Sequence, residues 1–102
     1  SLEMVYMRLS EQEVLTCLRC LPGWVYNSTI PAIEKEFVFD SFLNAIQFIS
    51  KASHFIDLLN HHPEWKNVYN KVQVVLYTHD IQGISTLDIQ LAHYLESVYR
   101  TL

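Results

Sequence analysis

The sequence predicts an α+β fold, a two-layer domain whose four-stranded antiparallel sheet carries helices on one face, in the order α-β-β-α-β-β-α. Three observations point there. Two stretches alternate polar and apolar side chains about short turns, as hairpins do. Three others repeat apolar residues at helical spacing behind Ser or Asp caps. The hairpins are separated by helices, an order that lays down an antiparallel sheet with the helices gathered on one side. A chain of 102 residues is expected to form a single domain over 1–102, because neither half would bury enough apolar area to offset its chain entropy.

The elements follow in order. Ser10 and Glu13 have the spacing of a capping box, and Val14, Leu15, Leu18 and Leu21 continue at helical intervals until Pro22 and Gly23 stop the run. Trp24 to Asn27 reads as a strand, Asn27 to Pro31 as a turn, and Ile33 to Phe39 as a second strand. Its inner face carries Ile33, Phe37 and Phe39, its outer face Glu34 and Glu36. Asp40 is expected to cap a long helix reaching about Leu59, with Phe42, Ile46, Ile49, Ala52, Ile56 and Leu59 as its core stripe. A second stripe, Leu43, Phe48, Phe55 and Leu58, widens the apolar arc beyond what one sheet face covers, which predicts association between subunits.

After Pro63, Glu64 to Tyr69 and Lys71 to Thr78 read as a hairpin turning near Asn70, with Val72, Val74 and Leu76 on one face. Gly83 breaks the chain. Ser85 and Asp88 form a second capping box, followed by the stripe Leu91, Leu95, Val98, Tyr99 and Leu102.

Composition excludes several classes of function. Half the residues are hydrophobic and 13% aromatic, with two glycines and three prolines, which argues for a filled interior rather than disorder. The net charge is −4 and no two basic residues are adjacent, so direct nucleic-acid binding is not expected. Apolar runs are only a few residues long, and Ser1 to Leu9 lacks the regions of a signal peptide, so the expectation is a soluble cytoplasmic protein without a membrane partner. In that setting Asn27-Ser28-Thr29 is a coincidental glycosylation triplet. Cys17 and Cys20 form a C-x-x-C inside a helix rather than before one, and no second pair completes a zinc site, so both are expected to be reduced packing or surface residues.

Chemistry concentrates in one place. Three of the five histidines, His61, His62 and His79, fall within nineteen residues, and imidazole both gives and takes protons near neutral pH. Pro63 holds His62 extended, so the adjacent rings cannot both point the same way. If the second hairpin turns near Asn70, facing residues have numbers summing to about 140, and His61 or His62 comes opposite His79. A proton-transfer site is one reading of this cluster and a three-histidine metal site another.

Asp57, His61, His62, Pro63, Tyr69, His79 and Asp88 together resemble the motif of the pterin-4a-carbinolamine dehydratases, also known as dimerisation cofactors of a hepatocyte homeodomain transcription factor. Asn67 to Val72 and Thr78-His79 resemble that family as well, and the similarity spans essentially the whole chain. The resemblance implies dehydration of a 4a-hydroxy-tetrahydropterin to the quinonoid dihydropterin, in the recycling of tetrahydrobiopterin. It implies no metal and no cofactor. His61 and His79 would be the catalytic acid and base, and His62, Asn60, Pro63, Trp65 and Thr78 would bind the pterin, Trp65 serving as a stacking ring or as plain core. Asp57 and Asp88 would support them, Asp88 chiefly as a helix cap. The implied partners are the pterin, further copies of the chain in a homodimer or homotetramer, and a transcription factor, which would add a nuclear location. The chain departs from mammalian members at Asn60, Tyr77 and Asp80, where those carry Asp, Ser and Glu.

Overall fold

Alternating side chains build the sheet, and its register follows from which of them are apolar. In the computed structural model, which describes residues 6–102, four strands form, β1 (Val25–Asn27), β2 (Ala32–Val38), β3 (Glu64–Val68) and β4 (Lys71–Leu76). They pair antiparallel throughout, in the spatial order β1-β2-β4-β3. Ile33 and Phe37 of β2, with Val72, Val74 and Leu76 of β4, are fully buried against the helices. Val25, Val38 and Val68 lie exposed, as do Glu36, Lys66 and Gln73, so the other face of the sheet is open. The second hairpin turns at Tyr69 and Asn70, with Tyr69 left-handed at φ 51°. Residues 1–5, on which part of the signal-peptide expectation rests, lie outside the described residues.

Three helices cover the inner face, α1 (Glu11–Leu18), α2 (Phe42–Leu59) and α3 (Thr86–Arg100). Both capping boxes form. The Ser10 hydroxyl accepts from Glu13 N while the Glu13 carboxylate accepts from Ser10 N, and Ser85 with Asp88 completes the second box. The expected Asp40 cap does not form. Ser41 is the N-cap of α2 and accepts from Asn44 N at 3.1 Å, one residue later than the sequence suggested.

The core stripe of α2 also differs from expectation. Ala45, Phe48, Ala52, Ile56 and Leu59 face the sheet, while Phe42 and Ile46 are turned outward and Ile49 is half-buried. Small Ala45 and Ala52 let the helix approach the sheet closely, a preference invisible to a reading that weights side-chain size. Leu15 and Leu102, placed in core stripes, are exposed. Opposite its core stripe, α2 presents Phe42, Leu43, Ile46 and Leu58, the last 83% exposed.

Alternation also carries a charge inward. Lys35 lies between Ile33 and Phe37 on the inner face of β2, and its Nζ donates to Glu96 Oε2 of α3 at 2.6 Å and to Pro22 O at 2.8 Å. The same Glu96 oxygen accepts Trp24 Nε1–H at 2.9 Å, and the ammonium sits 4.7 Å from the centroid of the Phe37 ring.

Candidate active site

At the end of α2 the chain must reverse within a few residues, and Asn60 makes this possible by adopting a left-handed conformation at φ 54°. The two residues that follow diverge. His61 turns inward and is buried, whereas the His62 side chain is 58% exposed. Across from them β4 ends at Leu76, Thr78 bridges to Gly83, and His79 opens a single 3-10 turn. The β3-β4 register sums to 139, with Glu64 facing Val75 and the ladder stopping there. The histidines therefore lie just beyond the paired strands, and His61, His62 and His79 come together around one cavity of about 330 Å³.

Asp88 organises the floor of this cavity. Its carboxylate is fully buried, and three donors converge on it. His61 Nε2 contacts Oδ1 at 2.6 Å, while Thr78 Oγ1 at 2.8 Å and Ser85 N at 2.9 Å contact Oδ2. The Thr78 hydroxyl spends its one hydrogen on Asp88, so the Ser85 hydroxyl, 2.6 Å away, donates to Thr78 Oγ1. A carboxylate only accepts, which places the hydrogen of neutral His61 on Nε2 and leaves Nδ1 as its basic nitrogen. The capping residue of α3 is thus also the residue that sets the tautomer of His61.

His62 is held more loosely, its Nε2 3.3 Å from Oδ1 of exposed Asp57. Asn60 and Thr78 also line the cavity. Pro63 and Trp65 do not. Trp65 is half-buried on the helix-facing side of β3, packed against the core. Of the nine residues singled out from the sequence, five line the cavity (Asn60, His61, His62, Thr78, His79) and two support them from outside (Asp57, Asp88). His54 and His93 are exposed on the helices.

Sequence reasoning missed Tyr6, Asp80 and, as a site residue, Tyr77, all of which line the cavity. Tyr6 arrives from the other end of the chain. Residues 7–9 run beside 84–86 through Leu9 N to Ile84 O and Thr86 N to Met7 O, and Tyr6 Oη then donates to Asp80 Oδ2 at 3.4 Å. Arg8 donates to Ile81 O, further fixing the turn that carries His79. No local signal marks Tyr6. Asp80 stands at a departure from the mammalian pattern, the one kind of hint available, and so does Tyr77. It donates to Glu64 Oε1 at 2.9 Å, and that hydrogen bond and the carboxylate's charge push the phenol above its usual pKa.

Among the described residues no group of three or more His, Cys, Asp or Glu side chains is placed to hold a metal ion, and no helix is long and apolar enough to cross a membrane.

Comparison with known proteins shows the family. The sequence model of the family described as Pterin 4 alpha carbinolamine dehydratase matches residues 7–98. Relatives named "Putative pterin-4-alpha-carbinolamine dehydratase" occur in Bordetella avium, 40% identical over 89% of this chain and 82% of that one, and in Rhizobium etli, 43% identical over 87% and 88%. A crystal structure of a transcriptional coactivator/pterin dehydratase from Brucella melitensis superposes with a TM-score of 0.88 at 39% identity, covering 91% of this chain and 99% of that one.

Proposed function

Because the chain belongs to the pterin 4 alpha carbinolamine dehydratase family, we propose that it removes water from a 4a-hydroxy-tetrahydropterin to give the quinonoid dihydropterin, with His61 and His79 as acid and base. The observation that carries this reading is the His61–Asp88 contact at 2.6 Å on the wall of a cavity that also holds His62 and His79. Departure of the C4a hydroxyl is driven by a ring-nitrogen lone pair. The leaving oxygen takes a proton to depart as water and the ring gives one up, so two positioned proton carriers complete the balance. Each contributes about 100-fold to 10,000-fold. His61, with Nε2–H held by Asp88, offers Nδ1 as a base, and His79 stands on the separate β4 turn. His62, Asn60 and Thr78 bind the pterin. The product re-enters tetrahydropterin recycling, and the cytoplasm is the site of action.

The test is the rate of disappearance of chemically generated 4a-hydroxy-tetrahydropterin, followed by ultraviolet absorbance. Acceleration by native protein, abolished in the folded His61→Ala/His79→Ala variant, supports the reading, and folded native protein without effect overturns it.

A second reading rests on the outward face of α2. Phe42, Leu43, Ile46 and Leu58 leave that face apolar and uncovered, and the Brucella neighbour is described as a coactivator as well as a dehydratase. In our reading the face builds a homodimer or homotetramer. Sedimentation of native protein and of Leu43→Asp/Ile46→Asp at micromolar concentration distinguishes the cases. A native oligomer reduced to monomer supports self-association, whereas a native monomer that captures a transcription factor through α2 favours the alternative.

A further inference from the structure

The three histidines of the cavity are held in different ways. Asp88 fixes His61 and Asp57 meets His62, whereas neither ring nitrogen of His79 has a hydrogen-bond partner among the described residues. Apart from the Tyr77 ring, whose centroid is 6.4 Å away, the backbone turn that carries His79 sets its position. That turn has little of its own to hold it. Thr78 gives its hydroxyl to Asp88 rather than capping the turn, and Gln82 closes it in a left-handed conformation at φ 47°. Such a conformation is strained in a residue other than glycine and persists only where the surroundings enforce it. The turn's internal bonds are Ile81 N to Thr78 O at 3.3 Å and Gln82 N to His79 O at 3.0 Å, above the Thr78 to Gly83 bridge.

Among the described residues, the side-chain hydrogen bonds that reach residues 79–82 both come from the start of the chain. Arg8 Nη2 donates to Ile81 O, and Tyr6 Oη donates to Asp80 Oδ2 at 3.4 Å. The Arg8 guanidinium also lies over Gly83, where an added Cβ would stand 2.9 Å from Nη1. The segment that bears these two side chains is firmly anchored. Leu9 N donates to Ile84 O, Thr86 N to Met7 O and Met7 N to Thr86 Oγ1, while Tyr6 and Leu9 pack against the core.

We infer that Arg8 is a positioning residue for His79, holding the turn so that the imidazole faces the cavity, with Tyr6 adding a weaker hold through Asp80. The inference rests on the dehydratase reading for what His79 does there. Arg8 makes no ion pair among the described residues, so its charge is directed to the Ile81 carbonyl, and a hydrogen bond from a charged donor is stronger than a neutral one. Without it the strained turn relaxes while the sheet and helices stay in place. A proton carrier displaced by about 1 Å costs on the order of 100-fold in rate.

The experiment compares Arg8→Met, which keeps the stem and loses the donors, with Arg8→Lys, which keeps a charged donor. Gly83→Ala is the independent variant, because its methyl group displaces the guanidinium without altering Arg8. Imidazole and amide NMR report His79 and residues 80–83 without substrate, and steady-state kinetics use chemically generated 4a-hydroxy-tetrahydropterin. In Arg8→Met and Gly83→Ala we expect the resonances of His79 and its turn to shift or broaden while those of His61 stay. The kcat should fall by about 10-fold to 100-fold with KM within about twofold, since the displaced group acts in the transition state. Arg8→Lys should return kcat to within about fivefold of native, and Tyr6→Phe should cost about threefold. Unmoved His79 resonances in both folded variants overturn the inference, as does a displaced His79 with kcat within about threefold of native. Movement of His61 along with His79, not recovered in Arg8→Lys, marks a general loosening and overturns it too. If Arg8→Met does not fold, Gly83→Ala decides by the same criteria. Native protein that turns over no substrate overturns the dehydratase reading, whereas a selective displacement of His79 in that protein still supports the positioning by Arg8.

Discussion

Replacing Asp88 by Asn changes one atom in the centre of the site and separates its two roles. Oδ2 accepts from both Thr78 and Ser85 N, so the amide keeps its oxygen there and turns its NH2 toward His61. A hydrogen bond once made by a carboxylate becomes a neutral one, a loss of about 1 kcal/mol. For a domain of this size that lowers Tm by about 4–8 °C. The helix cap survives, but the amide now donates to His61 Nε2, so the ring carries its hydrogen on Nδ1. The basic nitrogen is then consumed by the amide and the base is lost. We expect kcat to fall by about 100-fold to 10,000-fold, with chemical denaturation showing a folded protein and nitrogen NMR of the imidazole reporting the exchanged tautomer. Activity within about threefold of native, in a folded variant whose tautomer has exchanged, would refute the reasoning. Asp88→Ala is the coarser control. It strands the Thr78 hydroxyl, Ser85 N and His61 Nε2 together in a buried site and is expected to cost at least about 3 kcal/mol.

The remaining expectations are briefer. His61→Ala should lower kcat with little change in KM, and His62→Ala should mainly raise KM, since only the first ring is held as a base; steady-state kinetics with the reverse pattern would exchange the roles. Lys35→Met leaves the buried Glu96 carboxylate without its counter-charge and should destabilise by about 3–5 kcal/mol, much of it recovered in Lys35→Met/Glu96→Met, as a denaturant double-mutant cycle would show. Tyr77 should ionise above the usual range for tyrosine, and Glu64→Gln should bring it down, checked by difference absorbance against Tyr77→Phe. Its folded-state pKa is raised above the unfolded value, so any stability it lends is present below about pH 10 and lost as pH climbs through the raised value.

Local chemistry made most of the fold legible. Ser10 with Glu13 and Ser85 with Asp88 announce helix starts because a side-chain oxygen three residues before a carboxylate satisfies orphan amides within a single turn. The alternation of Val72, Val74 and Leu76 announces a strand facing a core. The expected rotation of α2 failed where large residues outvoted Ala45 and Ala52, because volume in a sequence says nothing about how near a helix lies to its sheet. At the site, His61, His62, Thr78 and His79 were legible because the hairpin register converts sequence separation into proximity. Trp65, read as either a stacking ring or plain core, packs against the core because alternation puts it on the helix side of an edge strand, away from the cavity. Tyr6 was out of reach altogether, since its position depends on pairing between chain segments more than seventy residues apart.

Lys35 has a bearing on how the chain is threaded. Strand β2 touches both β1 and β4, so an error in its alignment would spread across the sheet. A slip of one residue would carry Ile33 and Phe37 to the open face and drive Glu34 and Glu36 toward the helices. In that arrangement Glu96 would meet acids in place of an ammonium. A lysine among phenylalanines therefore acts as a spelling check on the sheet: only one alignment of β2 gives Glu96 a base to meet.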